Sequence, residues 1–138
     1  MATRKQIDEV IVLAMAIKGY AKDIHYNCTD YSDHLLVDDI AKGLNSDIDS
    51  IKENILLGNS QKVLSHKDYF ERASKIIPTV TNDVEGNFKE LDKLVTSILK
   101  VIDGLSLDKA DDDVMVKIAN KMKKAKGLLF LRLGLWQK

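Results

Sequence analysis

Residues 31–57 read YSDHLLVDDIAKGLNSDIDSIKENILL, and their apolar positions step by three and four from Val37 through Ile40, Leu44, Ile48 and Ile51 to Ile55. That spacing lays one continuous stripe along a helix of about 3.6 residues per turn. The stretch is predicted as a single helix from about Tyr31 to Leu57, opened by Asp30 as N-cap with Asp33 as an acidic N3 residue and stopped by Gly58. A stripe of this length belongs against other helices, so the neighbouring sequence has to supply them.

It does so on both sides. Upstream, from Ala2 to about Tyr26, the stripe is Ile7, Val10, Ile11, Ala14, Ile17, Ala21 and Ile24. Downstream, the polar segment Asn59 to Val63 leads to Ser65 and Asp68, a cap-like pair, and then to a short amphipathic helix from about His66 to Ile77 that Pro78 ends. A third long helix, about Asn82 to Asp103, carries Val84, Phe88, Leu91, Val95, Ile98 and Ile102 on one face, with Gly104 as its stop. A fourth, from about Leu107 or Ala110 to Leu135, carries Val114, Ile118, Met122, Ala125 and Leu129, and is weakened slightly by Gly127 and Gly134. No strand pattern interrupts them. The expectation is an all-α fold: a single domain over residues 1–138, an antiparallel four-helix bundle with a short extra helix between its second and third long helices. Phe130 and Trp136 are read as closing one end of the bundle or an interface.

Composition agrees with one compact domain, because 138 residues with 45% apolar content and one proline can bury a core of their own. The 21 basic and 21 acidic residues cancel, so net charge draws the chain neither to nucleic acid nor to an anionic membrane. With Cys28 alone, no internal disulfide forms, and a cytoplasmic location is the expectation. The N-terminal apolar run Val10 to Ile17 follows Asp8 and Glu9 and continues in helical register, unlike a signal peptide, and no run reaches the roughly 20 residues a membrane span needs.

Chemistry concentrates between His25 and Glu53. On a wheel of about 100° per residue with His34 at zero, Asp38 falls near 40°, Asp49 near 60° and Glu53 near 100°, a stripe that flanks the apolar face. Imidazole and carboxylate at these intervals are metal ligands, but Asp38 and Asp49 are about 16 Å apart along an axis rising about 1.5 Å per residue. One ion with bonds of about 2 Å cannot span them. Two copies of this helix packed antiparallel about a two-fold axis near Gly43 and Leu44 would bring His34 and Asp38 of one to Asp49 and Glu53 of the other, giving two identical sites per dimer. His25, at the end of the first helix, would join His34 and Asp38 from its own subunit. Such a mixed donor set suits iron, with zinc or manganese as possible substitutes.

At these residues the chain resembles the Dps mini-ferritins, the DNA-protection proteins of starved cells. That family has a histidine on its first helix and, on its second, a histidine, an aspartate four residues later, and an aspartate and glutamate that follow at fixed intervals. Here His34 to Asp38 is four residues, His34 to Asp49 fifteen and Asp49 to Glu53 four, which match. The interval from His25 to His34 is shorter than in the family, and Tyr26 stands where tryptophan is common. The resemblance implies a ferritin-like fold, a dodecameric shell built from two-fold dimers, and ferroxidase sites shared between subunits, with His25, His34 and Asp38 from one and Asp49 and Glu53 from its neighbour. It implies oxidation of Fe(II) by hydrogen peroxide or dioxygen, storage of the ferric product and protection against oxidative damage. It further implies an acidic iron-entry pore at Asp108, Asp111, Asp112 and Asp113, which equally suit a helix N-terminus.

DNA binding is expected to be weak or absent, since the N-terminal arm offers only Arg4 and Lys5 and the lysines at 117, 121, 123, 124 and 126 read as a solvated face. Cys28 reads as a packing residue and His66 as part of a helix start. The competing expectation is a ferritin-like assembly or DNA-associated protein without catalysis, which the shortened turn after His25 favours. No Glu-x-x-His pair, Gly-rich phosphate loop or Cys-x-x-Cys pair is present.

Overall fold

A computed structural model of the chain describes residues 2–134; Leu135 and Trp136, assigned above to the fourth long helix and the bundle end, lie outside the described residues. Among the described residues the fold is all-helical, with no strand. Its helices are α1 (Arg4–Asn27), α2 (Tyr31–Ala41), α3 (Leu44–Ser50), α4 (His66–Ile76), α5 (Val84–Asp103) and α6 (Lys109–Leu133). A π-helical segment, Ile51–Leu56, and a 3-10 turn, Leu57–Asn59, continue α3.

The starts of the helices are fixed by side chains that take up otherwise unpaired amides. Thr3 and Gln6 form a reciprocal capping box on α1. Asp30 caps α2 through Ser32 N–H, Ser65 caps α4 through Asp68 N–H, and Asp83 and Asp108 do the same for α5 and α6. The Asp30 and Ser65 caps are those expected from sequence.

Helix α1 is the centre of the packing and touches α2, α3, α4 and α5. Polar contacts give the directions. Lys18 of α1 reaches Asn45 at 2.7 Å while His25 reaches Asp38 at 2.9 Å, so α1 and the α2–α3 arm run in opposite senses. Tyr20 in the second half of α1 donates to Asn87 near the start of α5 at 3.3 Å, and the Ala2 amide donates to Ser106 O at 2.6 Å beyond the end of α5, so this pair is also antiparallel. Between α6 and the α2–α3 arm, Arg132 meets Asp33, Lys121 meets Asp47 and Asp111 meets Asn59, again in opposite order. Helix α4 lies beside α1, with Tyr69 donating to Asp8 at 2.6 Å.

The apolar stripes read from the sequence form the core. Every one of the α1 set and of the Val37 to Ile55 set is buried, together with Phe88, Leu91, Val95 and Ile98 of α5 and Ile118, Met122, Ala125 and Leu129 of α6. Val84, Ile102 and Val114 are half-buried at the edge. Burial on this scale is the dominant favourable contribution to folding.

The expected continuous helix from Tyr31 to Leu57 is corrected. It breaks at Lys42, whose ψ of 126° is extended, and at Gly43, whose φ of 79° is left-handed. The apolar spacing runs through the break, since Ile40 and Leu44 are both buried, which is why periodicity does not reveal it. The wheel angles that related Asp38 to Asp49 and Glu53 assumed an unbroken helix and no longer apply across Gly43. Beyond it the arm passes into a π-helical turn in which Ile55 and Leu56 are both buried.

Two phenols are held in the interior. Burial, with the charges of Glu90 and Asp23 adding, pushes the Tyr20 pKa up to about 12. Burial and the hydrogen bond to Asp8 push Tyr69 up to about 12 as well.

Two outcomes follow from the fold. Gly43→Ala places a side chain in the left-handed region, with its Cβ 2.7 Å from the Lys121 Nζ position, and should lower stability by about 1–2 kcal/mol in urea unfolding. For the phenols, a folded pKa above the ordinary value of 10.0 means this share of stability is whole below about pH 10 and is lost as pH rises toward 12. Spectrophotometric titration at alkaline pH should therefore show Tyr20 and Tyr69 ionising together with unfolding; ionisation of both near pH 10 in folded protein would contradict the assignment.

Candidate metal centre

The centre lies where α1 runs out of covering helices. Asn27 closes α1 by donating its side-chain amide to Asp23 O at 2.7 Å, Cys28 follows as C-cap, and Asp30 opens α2, so the connection between the helices is only a few residues long. That short turn folds the first turns of α2 back over the last turn of α1. His34 then lies on His25, ring centroids 3.5 Å apart and planes 29° apart, and Asp38, one turn further along α2, approaches the same imidazole.

His34 Nδ1 lies 3.0 Å from the His25 carbonyl oxygen. A carbonyl only accepts, so Nδ1–H is the donor here, and the tautomer that fits this contact keeps the Nε2 lone pair for a ligand, the usual orienting contact of a metal-binding histidine. His25 Nδ1 lies 2.9 Å from Asp38 Oδ1 but off the line of an N–H bond, so this buried nitrogen has no hydrogen-bond partner. Asp38 faces this nitrogen at ion-pair distance, and a cation held between the two would engage both.

One donor atom from each of His25, His34 and Asp38 lies within 4.8 Å of the other two. Donors bound to one ion at about 2.1 Å are at most about 4.2 Å apart, so closing on an ion requires only a small movement. Asp38 can supply it, because its side chain is 53% exposed whereas that of His25 is 13% exposed. Two imidazoles and one carboxylate, with the outer side open, are a donor set that a first-row divalent ion such as iron(II) or zinc can take.

The groups behind this set were not read from the sequence. Asp33, beside His34, is buried and accepts from Arg132 Nε at 2.6 Å and from a second guanidinium nitrogen at 3.1 Å. The Arg132 guanidinium also lies 5.0 Å from the Phe88 ring centroid. This pair pins the first turn of α2 to α6 and so fixes the backbone that carries His34. The hydrogen bond that Arg132 donates to Asp33 pushes the Arg132 pKa up, against the opposing effect of burial. Asp33 had been read only as the acidic N3 residue of a cap. Tyr26 meets His25 edge-on at 5.0 Å and Tyr31 stacks on His34 at 6.1 Å; both tyrosines are largely exposed.

Asp49 on α3 and Glu53 in the π-helical segment are exposed and do not join the His25, His34 and Asp38 group within the chain. Of the acidic residues near 110, Asp108 is the α6 N-cap and Asp111 is turned inward, accepting from Asn59 at 2.8 Å; Asp112 and Asp113 are exposed. Lys121 and Lys126 are engaged by Asp47 and Asp92. Cys28 makes a 3.7 Å contact with His25 O, and burial and the Asp33 charge push its thiol pKa up, away from a reactive thiolate.

No known protein-family model matches the chain, no curated protein matches it, and no solved structure matches its fold. The chemistry of the site therefore rests on its own geometry.

Co(II), a spectroscopically visible divalent ion, should bind the wild-type chain with imidazole-type d–d absorption. His34→Ala and Asp38→Asn should each weaken that binding by at least about tenfold, the scale of even an orienting partner's loss at a metal site. Unchanged affinity in both variants would place the ion elsewhere.

Proposed function

We propose that the protein is a mini-ferritin of the Dps type that binds and oxidises Fe(II), and the observation that carries this reading is the meeting of His25, His34 and Asp38 at the open end of the α1–α2 pair. The antiparallel contacts of α1, the α2–α3 arm, α5 and α6, with α4 in the connection, support a ferritin-like bundle. Iron here is substrate and cargo.

In this reading His25 and His34 hold Fe(II), and the carboxylates stabilise the greater charge of Fe(III) once the electron has left. Three ligands from one chain would leave an ion open on its outer side, where Asp49 and Glu53 of a second copy would complete the site and Glu53 could supply a carboxylate shared with a second iron. Two ferrous ions each give one electron to hydrogen peroxide, which with two protons leaves as two molecules of water. Removing ferrous iron and peroxide together suppresses hydroxyl-radical formation. The exposed positions of Asp49 and Glu53 leave them available to a neighbour, and homodimers of this kind build the proposed shell of twelve chains. Zinc or manganese can occupy the same donors. The intramolecular pairing of Lys121 and Lys126 supports a protein that does not depend on DNA. No described helix is long and apolar enough to cross a membrane.

Fe(II) added aerobically or with peroxide should be oxidised faster than in buffer, as read by ferric absorbance, and His34→Ala should bring the rate down to that of buffer. An Asp49→Asn/Glu53→Gln variant should lose most of the rate while keeping Co(II) at the other three ligands. Light scattering should give a particle far heavier than 15.5 kDa. A monomer, or a double variant as fast as wild type, would remove the shared site.

A further inference from the structure

The outward face of the α2–α3 arm carries its side chains in a mirrored order. Along α2 come Tyr31, then His34 and Leu35, then Asp38, each about one turn after the last; past the break come Asp49, Glu53 and Leu57, again about one turn apart. The Leu57 amide donates to the Glu53 carbonyl, which fixes that last step. An apolar side chain thus stands at each outer end, with the candidate ligands toward the middle. Both ends are open, since Tyr31 is 73% exposed and Leu57 57%.

The two halves look to the same side in spite of the break at Gly43. Asp38 lies on the flank of the arm that faces α1, where it meets His25, and Asp49 lies one turn beyond Asn45, to which Lys18 of α1 donates at 2.7 Å. The other flank is held by α6 through the Asp33–Arg132 and Asp47–Lys121 pairs. Asp49 and Glu53 are exposed and form no ion pair among the described residues. The nearby Lys18 and Lys22 are turned to Asn45 and to the Tyr26 ring.

We infer that this face is an interface for a second copy of the chain, and that a divalent ion bound between the copies sets its strength. The inference rests on the metal-site reading and adds to it a coupling between metal binding and association. A two-fold axis near Gly43 and Leu44 that sets Asp38 opposite the partner's Asp49 also sets Tyr31 opposite the partner's Leu57, so an apolar contact closes each end of the face. Tyr31, Leu35 and Leu57 together offer a few hundred Å² at most, well short of the roughly 800 Å² per partner that a stable interface buries. Between these contacts each site gathers three carboxylates, Asp38 with the partner's Asp49 and Glu53, and without a cation they repel one another. Apolar contact alone therefore gives weak pairing, and a shared ion turns the repulsion into common coordination. Since the coupling is reciprocal, pairing raises metal affinity by the factor by which metal raises pairing.

Sedimentation velocity on the full chain over a dilution series, in EDTA and in Co(II), tests this. Co(II) should lower the concentration at which copies separate by at least about tenfold, within the usual range of such couplings. Leu57→Ser should weaken association in Co(II) while keeping the imidazole-type Co(II) absorption; if that variant lacks the wild-type helical circular dichroism, Leu35→Ser is read in the same way. Asp49→Asn/Glu53→Gln should associate more tightly than wild type in EDTA and no longer respond to Co(II), which the loss of a merely structural contact would not produce. Equal association in EDTA and Co(II), or wild-type association in the leucine variants, overturns the inference and leaves the three-ligand metal centre standing. Failure of Co(II) to bind wild type removes both. Iron oxidation is not read here, so a protein that pairs in Co(II) but does not oxidise Fe(II) would lose the ferroxidase reading and keep this interface.

Discussion

Helix α1 has twelve buried residues in its twenty-four, and a polar group carried on the covered part of such a helix is costly unless another element pairs with it. Two such groups set how the other helices can lie. Asp8 requires a donor, which Tyr69 of α4 supplies, and Tyr20 requires an acceptor, which Asn87 of α5 supplies. Asn87 also accepts from the Thr81 amide and donates to its carbonyl, so the entry of α5 is fixed through the same contact. The apolar stripes drive these helices together without choosing a register, because burial is not directional. The few buried hydrogen bonds choose it.

The metal centre is the point at which this covering ends. Ile24 is buried, and His25 next to it is the first α1 residue after Ile24 with a side chain only partly covered, by the returning α2. A short connection cannot swing α2 far from α1, and the bidentate Asp33–Arg132 pair holds its first turn against α6. Position is therefore imposed on His34 from two directions, and the His25 carbonyl then orients its ring. The candidate centre thus has an inner half made of imidazoles held by their surroundings and a more exposed carboxylate in Asp38.

Much of this was legible before the structure, and the reasons are specific. His34 and Asp38 are an i,i+4 pair, so any helix brings them to one face; the short turn after His25 read from sequence as liable to misplace that histidine, whereas the structure sets its ring against His34. The core stripes were legible for the same geometric reason. Gly43 was not, because a glycine inside a run of correctly spaced apolar residues reads as a tolerated interior position, and only the backbone reveals its left-handed φ. Leu56 was missed because a stripe of single positions stepping by three and four leaves out a second buried residue beside Ile55. Asp33 was read as a helix-start acid, since its partner Arg132 lies 99 residues away and charge spacing carries no information over that distance. Asp111 followed the same pattern: the residue types allowed a pore, while Asn59 draws the side chain inward.

The break at Gly43 bears most directly on chemistry. In an unbroken helix, the ligand stripe would continue evenly from Asp38 to Asp49 and Glu53. Instead the extended ψ of Lys42 and the left-handed φ of Gly43 redirect the chain, and the following arm restarts at Leu44, itself fully buried. The buried Asp47–Lys121 pair at 2.6 Å ties that restarted arm to α6, just as Asp33–Arg132 ties the arm before it. Breaking either pair would leave a charge in a poorly solvated place, a larger penalty than the net gain from forming the pair, so both act chiefly to exclude other positions of the two arms. The inner ligands and the outward-facing acids therefore occupy two separately anchored pieces of backbone. Any shared use of them by two copies depends on how those pieces are held as much as on the intervals between the residues.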